Sequence, residues 1–139
     1  DIVVFELGSN AVATEEQVRE MVDLVPSGKA VFLVNVRTPF PLQDINNELF
    51  EKVAGERDNV TLVDWYRYSK GHDDWFDGDG THLKPSGCVK YMQMIEKALV
   101  NYYEREAAHR EGADGAALLA TTDAPLWKAQ NSEGDAADE

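Results

Sequence analysis

The sequence predicts an α/β fold with a parallel sheet, and three observations lead to this prediction. Three short segments, residues 2–7, 30–36 and 60–63, are almost entirely apolar and rich in β-branched residues. Strands without polar alternation are buried on both faces, as they are in parallel sheets covered by helices. Amphipathic segments separate and follow these strands, so the order is β-α-β-α-β-loop-α, with right-handed crossovers.

Each predicted helix shows an apolar stripe, and the first also shows a defined start. Thr14 and Gln17 form a capping box that satisfies free amide groups at a helix start. The second helix ends near Gly55, and the third follows a long loop at about residues 67–86, with Cys88 on its apolar face. The stripes are Val18, Met21, Val22 and Val25, then Leu42, Ile45, Leu49, Phe50 and Val53, and finally Cys88, Tyr91, Met92, Ile95, Leu99 and Tyr102.

Charge and composition divide the chain into two parts. The 139 residues carry 13 basic and 26 acidic side chains, a net charge of −13, so nucleic acid is not an expected partner. Residues 1–110 are predicted to form the folded body, and residues 111–139 an acidic, mobile tail. Three strands are few for a parallel sheet, and the chain opens directly on an apolar segment. Further N-terminal strands are therefore expected upstream of Asp1.

Polar residues suited to catalysis follow all three predicted strands. Ligands bind beyond the carboxyl ends of parallel strands, so residues 8–10, 37–39 and 72–82 are expected to share one edge of the sheet. Asp79 precedes His82 by three residues in a glycine-containing turn, and its carboxylate can orient the ring of a general base. The alternative is a surface histidine with incidental acids nearby.

The turn after the first strand allows two catalytic interpretations. Ser9 can be a nucleophile on a strand-to-helix turn, or Asn10 can donate its side-chain amide to an oxyanion. A plain turn that ends a strand is the third possibility, because Gly and Asn are common there. The motif alone does not decide among these three.

Other residues near this edge also have a functional and a structural interpretation. Trp65 and Trp75 can line an acyl or sugar pocket, or they can belong to the core. Arg37 can contact a substrate anion or pair with a local acid. The acids and histidines of residues 72–82 lack the Asp-x-Asp-x-Asp-Gly core of a calcium loop, so no metal and no other cofactor is expected.

Together these segments resemble the second half of a known family over about residues 2–103. The resemblance is carried by the strand with its Gly-Ser-Asn turn, by the strand that ends at Val36-Arg37, by Val63-Asp64-Trp65-Tyr66, and by the run DGDGTHLKPSG at residues 77–87. The family is the SGNH (GDSL-like) hydrolases, especially the extracytoplasmic SGNH domains fused to bacterial membrane acyltransferases such as peptidoglycan O-acetyltransferases.

The resemblance implies a flavodoxin-like, three-layer α/β/α fold with a Ser-His-Asp triad. It makes His82 the base, Asp79 its orienting acid and Asn10 the oxyanion donor. The family's nucleophile lies in a Gly-Asp-Ser-like turn that residues 1–139 lack, so the serine is expected on a missing N-terminal segment or on a companion chain. Ser9 is the less favoured nucleophile, since no aspartate stands between it and the preceding glycine.

The resemblance also implies a substrate and a location. The substrate is a small acyl ester or an O-acetylated glycan of the cell envelope, and the acceptor is water or a sugar hydroxyl. The expected location is the extracytoplasmic face of a bacterial membrane, tethered or secreted. A chain without its serine can instead be a non-catalytic binding domain of the same fold, although the retention of Asn10, Asp79 and His82 together favours the enzyme.

Overall fold

Three parallel strands form a sheet at the centre of residues 1–110, the part of the chain that this computed structural model describes. The strands are β1 (Ile2–Phe5), β2 (Ala30–Val34) and β3 (Val60–Val63). They lie in the order β1-β2-β3, and the register places Phe5 beside Leu33 and Val34 beside Val63. The predicted α/β fold with a parallel sheet is therefore confirmed.

Within residues 1–110, four helices and a short 3-10 turn connect and follow the strands. The helices are α1 (Glu15–Asp23), α2 (Leu42–Gly55), α3 (Trp65–Tyr68) and α4 (Pro85–Arg110), and the 3-10 turn is Asp73–Trp75. The predicted capping box is present, because the Thr14 side chain accepts the Gln17 N–H while the Gln17 side chain accepts the Thr14 N–H. The predicted long loop, about residues 67–86, contains the end of α3 and the 3-10 turn.

Helices cover both faces of the sheet. Side chains of β2 alternate between the two faces, as a strand requires. Val31 and Leu33 pack against α1 and α2 in one buried cluster, whereas Phe32 and Val34 pack against α4 in the other. The first cluster consists of Val18, Val22, Val31, Leu33, Phe50, Val53 and Val60, and the second of Phe32, Val34, Val63, Trp65, Trp75, Phe76, Met94, Ile95 and Ala98. The result is three layers, α/β/α.

Two details of the prediction change in the sheet and in α2. The first two strands are shorter than residues 2–7 and 30–36, since β1 ends at Phe5 and β2 ends at Val34. The predicted buried stripe of α2 includes Ile45, but this side chain is exposed, and its polar neighbour Asn46 is fully buried. The hydrogen bonds of Asn46, described below, explain this exchange.

The prediction for the buried face of α4 is wrong at two positions. It includes Cys88 and Met92, but both are exposed. Gly87 is buried instead, and a Cβ atom there would lie 2.3 Å from the carbonyl oxygen of Trp75. The helix therefore docks through its glycine, and this contact turns Cys88 outward. The core face of α4 is completed by Met94, Ile95 and Ala98.

Two predictions about the ends of the chain stay predictions. The acidic tail at residues 111–139 lies outside the described residues. The expected N-terminal strands precede Asp1, and the described sheet leaves β1 at one of its edges. Within residues 1–110, no helix combines the length and the apolar character that a bilayer crossing requires.

Candidate active site

Asp79 and His82 lie in a tight turn that backbone hydrogen bonds close. The Asp77 N–H donates to the carbonyl oxygen of His82 at 2.8 Å, and the Gly80 N–H donates to the carbonyl oxygen of Asp77 at 2.9 Å. Gly80 has a φ of +69°, a left-handed conformation that glycine adopts readily and other residues adopt at a cost. The glycine therefore allows the chain to reverse between the acid and the histidine.

The Asp79 carboxylate is held by three hydrogen bonds within this turn. One oxygen, Oδ1, accepts the backbone N–H groups of Thr81 and His82, both at 2.9 Å. The other oxygen, Oδ2, lies 2.6 Å from Nδ1 of the His82 ring. Because the two amides fix Oδ1, Oδ2 is aimed at the imidazole. The ring itself is 80% exposed, so its far side is open to a reactant.

The hydrogen bond between Asp79 and His82 lowers the pKa of the acid and raises the pKa of the histidine. The hydrogen bond from His82, with those from the two amides, lowers the pKa of Asp79 from 3.8 to about 2. The hydrogen bond to Asp79 raises the pKa of His82 above 6.5. In the neutral ring, Nδ1 carries the proton that Asp79 accepts, and Nε2 keeps a free lone pair. The pair is thus a histidine prepared to accept a proton on its exposed side.

Contacts with the loop after β2 place the turn at the carboxyl edge of the sheet. The hydroxyl groups of Thr38 and Thr81 are hydrogen-bonded at 2.9 Å, and Thr38 is buried. Gly80 packs on the Pro39 ring, since a Cβ atom at position 80 would lie 3.4 Å from Cδ of that proline. The residues that follow β2 and the His82 turn therefore share one edge, as the sequence predicts.

The loop after β1 leaves the same edge and carries Ser9 and Asn10. The Asn10 side chain is exposed, and Ser9 is partly buried. β1 neighbours β2, so this loop lies beside the one that supports the His82 turn. Within residues 1–110, the structure records no hydrogen bond between Ser9 and His82. The loop of Asn10 and the turn of His82 therefore lie at the same edge of the sheet.

Arg37 and the two tryptophans occupy structural positions. Trp65 and Trp75 are buried and stacked, with ring centroids 6.0 Å apart and planes 20° apart, in the cluster under α4. This burial favours the core interpretation of the two tryptophans over the substrate-pocket interpretation. The Arg37 guanidinium donates to the Asp73 carboxylate and to the Ser69 carbonyl oxygen, and thus pairs with a local acid.

Two further observations concern metal binding and the surface pockets. Within residues 1–110, no three His, Cys, Asp or Glu side chains come together as metal ligands would. A surface pocket of about 460 Å³ lies at the opposite, amino edge of the sheet, between Lys29, Asn59 and the last turns of α4. None of the predicted site residues lines this pocket. The Asp79–His82 pair lies at the carboxyl edge, away from this pocket.

Asn46 is a buried residue beside the candidate site that the sequence pattern does not predict. Its side chain, buried on α2, binds the backbone of the loop that carries Asn10. The signal in the sequence is an amide residue beside an apolar stripe, two positions before a glutamate, and such a signal is too common to single out one residue. Only the path of the loop reveals its partner groups.

Comparisons with known proteins find relatives over most of the chain. No family model matches the chain. Over 98 residues, 70% of this chain, it is 40% identical to the O-acetyltransferase OatA of Staphylococcus aureus strain NCTC 8325 / PS 47. The identity and the coverage are the same for OatA of S. aureus strain MRSA252. The chain spans about a sixth of the length of these relatives, 16% of each. Most of residues 1–139 is therefore similar to one segment of the staphylococcal O-acetyltransferases.

Proposed function

We propose that residues 1–110 supply the base, the orienting acid and an oxyanion donor to a serine-dependent transfer of an O-acetyl group, within an SGNH hydrolase-like domain. The observation that carries the proposal is the Asp79–His82 pair, with 2.6 Å between Oδ2 and Nδ1 and a largely exposed ring at the carboxyl edge. The relatives' name, O-acetyltransferase, supports acetyl as the transferred group. The serine, in this proposal, lies outside residues 1–139.

The proposed reaction proceeds through an acetyl-serine. Nε2 of His82 removes the hydroxyl proton as the serine oxygen attacks the acetyl carbonyl carbon, while Asp79 stabilises the imidazolium. The Asn10 amide donates to the negatively charged carbonyl oxygen. His82 then gives its proton to the leaving oxygen, which departs. An acceptor hydroxyl next attacks the acetyl-serine, with His82 as base once more, and the serine is restored.

The free edge of β1 supports the proposal that another segment supplies the serine. Within the described residues, the outer edge of β1 has no strand beside it, and such an edge is a template for pairing. A strand added in parallel would end at the same edge as β1, next to the Asn10 loop. Its following turn would then lie at the same edge of the sheet as the His82 turn. An upstream segment of a longer protein or a companion chain can provide this strand.

The acceptor is proposed to be a sugar hydroxyl of a cell-envelope glycan, on the extracytoplasmic face of a bacterial membrane. Two exposed aromatic side chains support a sugar ligand at this edge. Phe40, 57% exposed, follows Pro39, the proline that contacts the His82 turn. Tyr66 lies in α3, just after the end of β3, and is also exposed. Aromatic faces that remain exposed beside a site offer flat apolar surface to a ring-shaped ligand.

The test measures hydrolysis of p-nitrophenyl acetate by the complete protein that contains these residues and by residues 1–139 alone. We expect turnover by the complete protein and only background turnover by residues 1–139. In the complete protein, Asn10→Ala should lower kcat roughly 10²- to 10³-fold, the effect of a lost oxyanion donor. Ser9→Ala should leave kcat unchanged.

Three outcomes would contradict the proposal, and each would indicate a different nucleophile, site or function. Turnover by residues 1–139 that Ser9→Ala abolishes would make Ser9 the nucleophile. Undiminished turnover in both Asn10→Ala and His82→Ala would remove this site from the reaction. No acetyl transfer or hydrolysis by the complete protein, together with retained binding of glycan fragments, would identify a non-catalytic binding domain.

A further inference from the structure

We propose that Asn46 is the positioning residue for the oxyanion donor, an inference that rests on the proposed function. Asn46 lies on α2, on the side of the helix that faces the loop after β1, and its side chain is fully buried. A fully buried amide among apolar neighbours is costly unless each of its polar groups has a partner. The partners of Asn46 therefore reveal its role.

All the polar groups of the Asn46 side chain bind one short loop. Its Nδ2 group donates to the carbonyl oxygens of Gly8 at 2.7 Å and Ala11 at 2.8 Å. Its Oδ1 atom accepts the N–H group of Ala13 at 2.9 Å. Asn10 lies between the first two of these anchor points. The backbone on both sides of Asn10 is thus fixed to α2 by a single side chain.

The residue type at position 46 follows from these three bonds. An asparagine amide offers two donors and one acceptor, and the loop presents two carbonyl oxygens and one N–H group. An aspartate of the same size has no donor, and an alanine would leave all three backbone groups without their partner. Gly8, with a φ of +109°, brings the loop close enough, since a Cβ there would lie 3.0 Å from Phe50.

The first test is kinetic and uses Asn46→Asp in the complete protein, with p-nitrophenyl acetate as substrate. Two carboxylate oxygens would face two carbonyl oxygens, so the loop should shift and the Asn10 amide with it. A displacement of about 1 Å at a reacting centre costs roughly 100-fold, and we expect a fall of this size in kcat with little change in KM. The midpoint of the pH profile should not move, because Asp79 and His82 are untouched.

The matched control is Asn59→Asp. Asn59 also donates its side-chain amide to a loop carbonyl oxygen, that of Lys29 at 3.0 Å, but it does so at the amino edge of the sheet. The same substitution removes the same kind of bond far from the proposed site. We expect kcat to stay within about twofold of the unsubstituted protein, as for changes away from functional features.

A double variant separates positioning from general damage. If Asn46 acts through Asn10, Asn46→Asp should cost much less in an Asn10→Ala background, because the donor that it positions is already gone. An equal fall in both backgrounds would overturn the inference. Full activity of Asn46→Asp beside a crippled Asn10→Ala would overturn it while leaving the proposed function intact. Full activity of Asn10→Ala would overturn both the inference and the oxyanion role of Asn10 in the proposed function.

A second measurement needs no substitution and therefore does not depend on whether a variant folds. The Ala13 N–H group, bonded to Asn46, should exchange with solvent deuterium at least about 100-fold more slowly than a free amide in the same sequence context. Exchange of Ala13 at the rate of a free amide would show that the loop is not held, and the inference would fail.

Discussion

Two histidines stand between β3 and α4, each close to an aspartate, and they differ in almost every respect that matters for proton transfer. His82 Nδ1 lies 2.6 Å from Asp79 Oδ2, within hydrogen-bonding distance. His72 Nδ1 lies 4.0 Å from Asp74 Oδ1, beyond it. The His72 ring instead stacks flat on Trp75, with centroids 4.0 Å apart and planes 3° apart.

The difference arises from the backbone around each acid. Asp79 accepts two backbone N–H groups on Oδ1, and these fix the direction of its other oxygen. His72 is held by its contact with the aromatic face of Trp75, a buried residue under α4. A histidine and an aspartate two or three residues apart therefore predict little by themselves. The groups that orient the aspartate decide whether the pair can act as a base.

The largest expected effect tests this contrast directly. In the complete protein, His82→Ala should lower kcat for p-nitrophenyl acetate roughly 10⁶-fold, the order of loss for a triad histidine. His72→Ala should leave kcat within about twofold, because that ring touches no proposed reactant. Comparable losses in both variants would mean that the two histidines are not distinguished by geometry.

A smaller effect is expected from the glycines of the turn. Gly80→Ala forces a side chain into a left-handed conformation, at a cost of about 1–2 kcal/mol, while its Cβ atom would make an ordinary contact with the Pro39 ring. We expect the free energy of unfolding to fall by about that amount, and kcat to fall roughly tenfold as the pair shifts. Urea denaturation and the acetyl ester assay measure the two effects.

Gly78→Ala is the matched control for this substitution. Gly78 lacks a positive φ, and a Cβ there would meet nothing within 4 Å. Its replacement should change the free energy of unfolding by less than about 0.5 kcal/mol. Equal losses at positions 78 and 80 would show that the turn does not depend on the conformation of Gly80.

The smallest effect is the pH dependence of stability. The raised pKa of His82 gives a contribution that is full below pH 6.5 and is lost as the pH rises through that raised value. The lowered pKa of Asp79 gives a contribution that is full above pH 3.8 and is lost as the pH falls through about 2. The pair should therefore stabilise the fold most between pH 3.8 and 6.5.

The measurement compares the free energy of unfolding of the chain and of its Asp79→Asn variant across the pH range. The difference between the two should be greatest in that window and should shrink at both ends. Because both side chains are well exposed, the difference should be small. A difference that grows toward alkaline pH would contradict the assigned directions of the pKa shifts.

Local patterns predicted the architecture well. The unbroken apolar strands fixed the parallel sheet, and the capping box at Thr14 marked the start of α1 to the residue. The common edge for the loops after the strands followed from the topology of parallel sheets. These features depend on periodicity and on the order of elements along the chain, and both can be read directly from a sequence.

Features that depend on contacts between distant residues could not be predicted. Asn46 binds a loop more than 30 positions away in the sequence, and no local pattern predicts that contact. The burial of Trp75 and the exposure of Cys88 both depend on how Gly87 docks α4 against the preceding turn. Arg37 had two possible partners, and only the folded chain brings it to Asp73.

An ¹⁵N NMR titration of the His82 ring, in residues 1–139 and in Asp79→Asn, shows which nitrogen carries the proton. We expect a neutral ring protonated at Nδ1, with Nε2 free, and a midpoint above 6.5 that falls toward 6.5 in the variant. A ring protonated at Nε2, with the same midpoint in both proteins, would contradict this expectation, because Asp79 would then hold neither the orientation nor the charge of the proposed base.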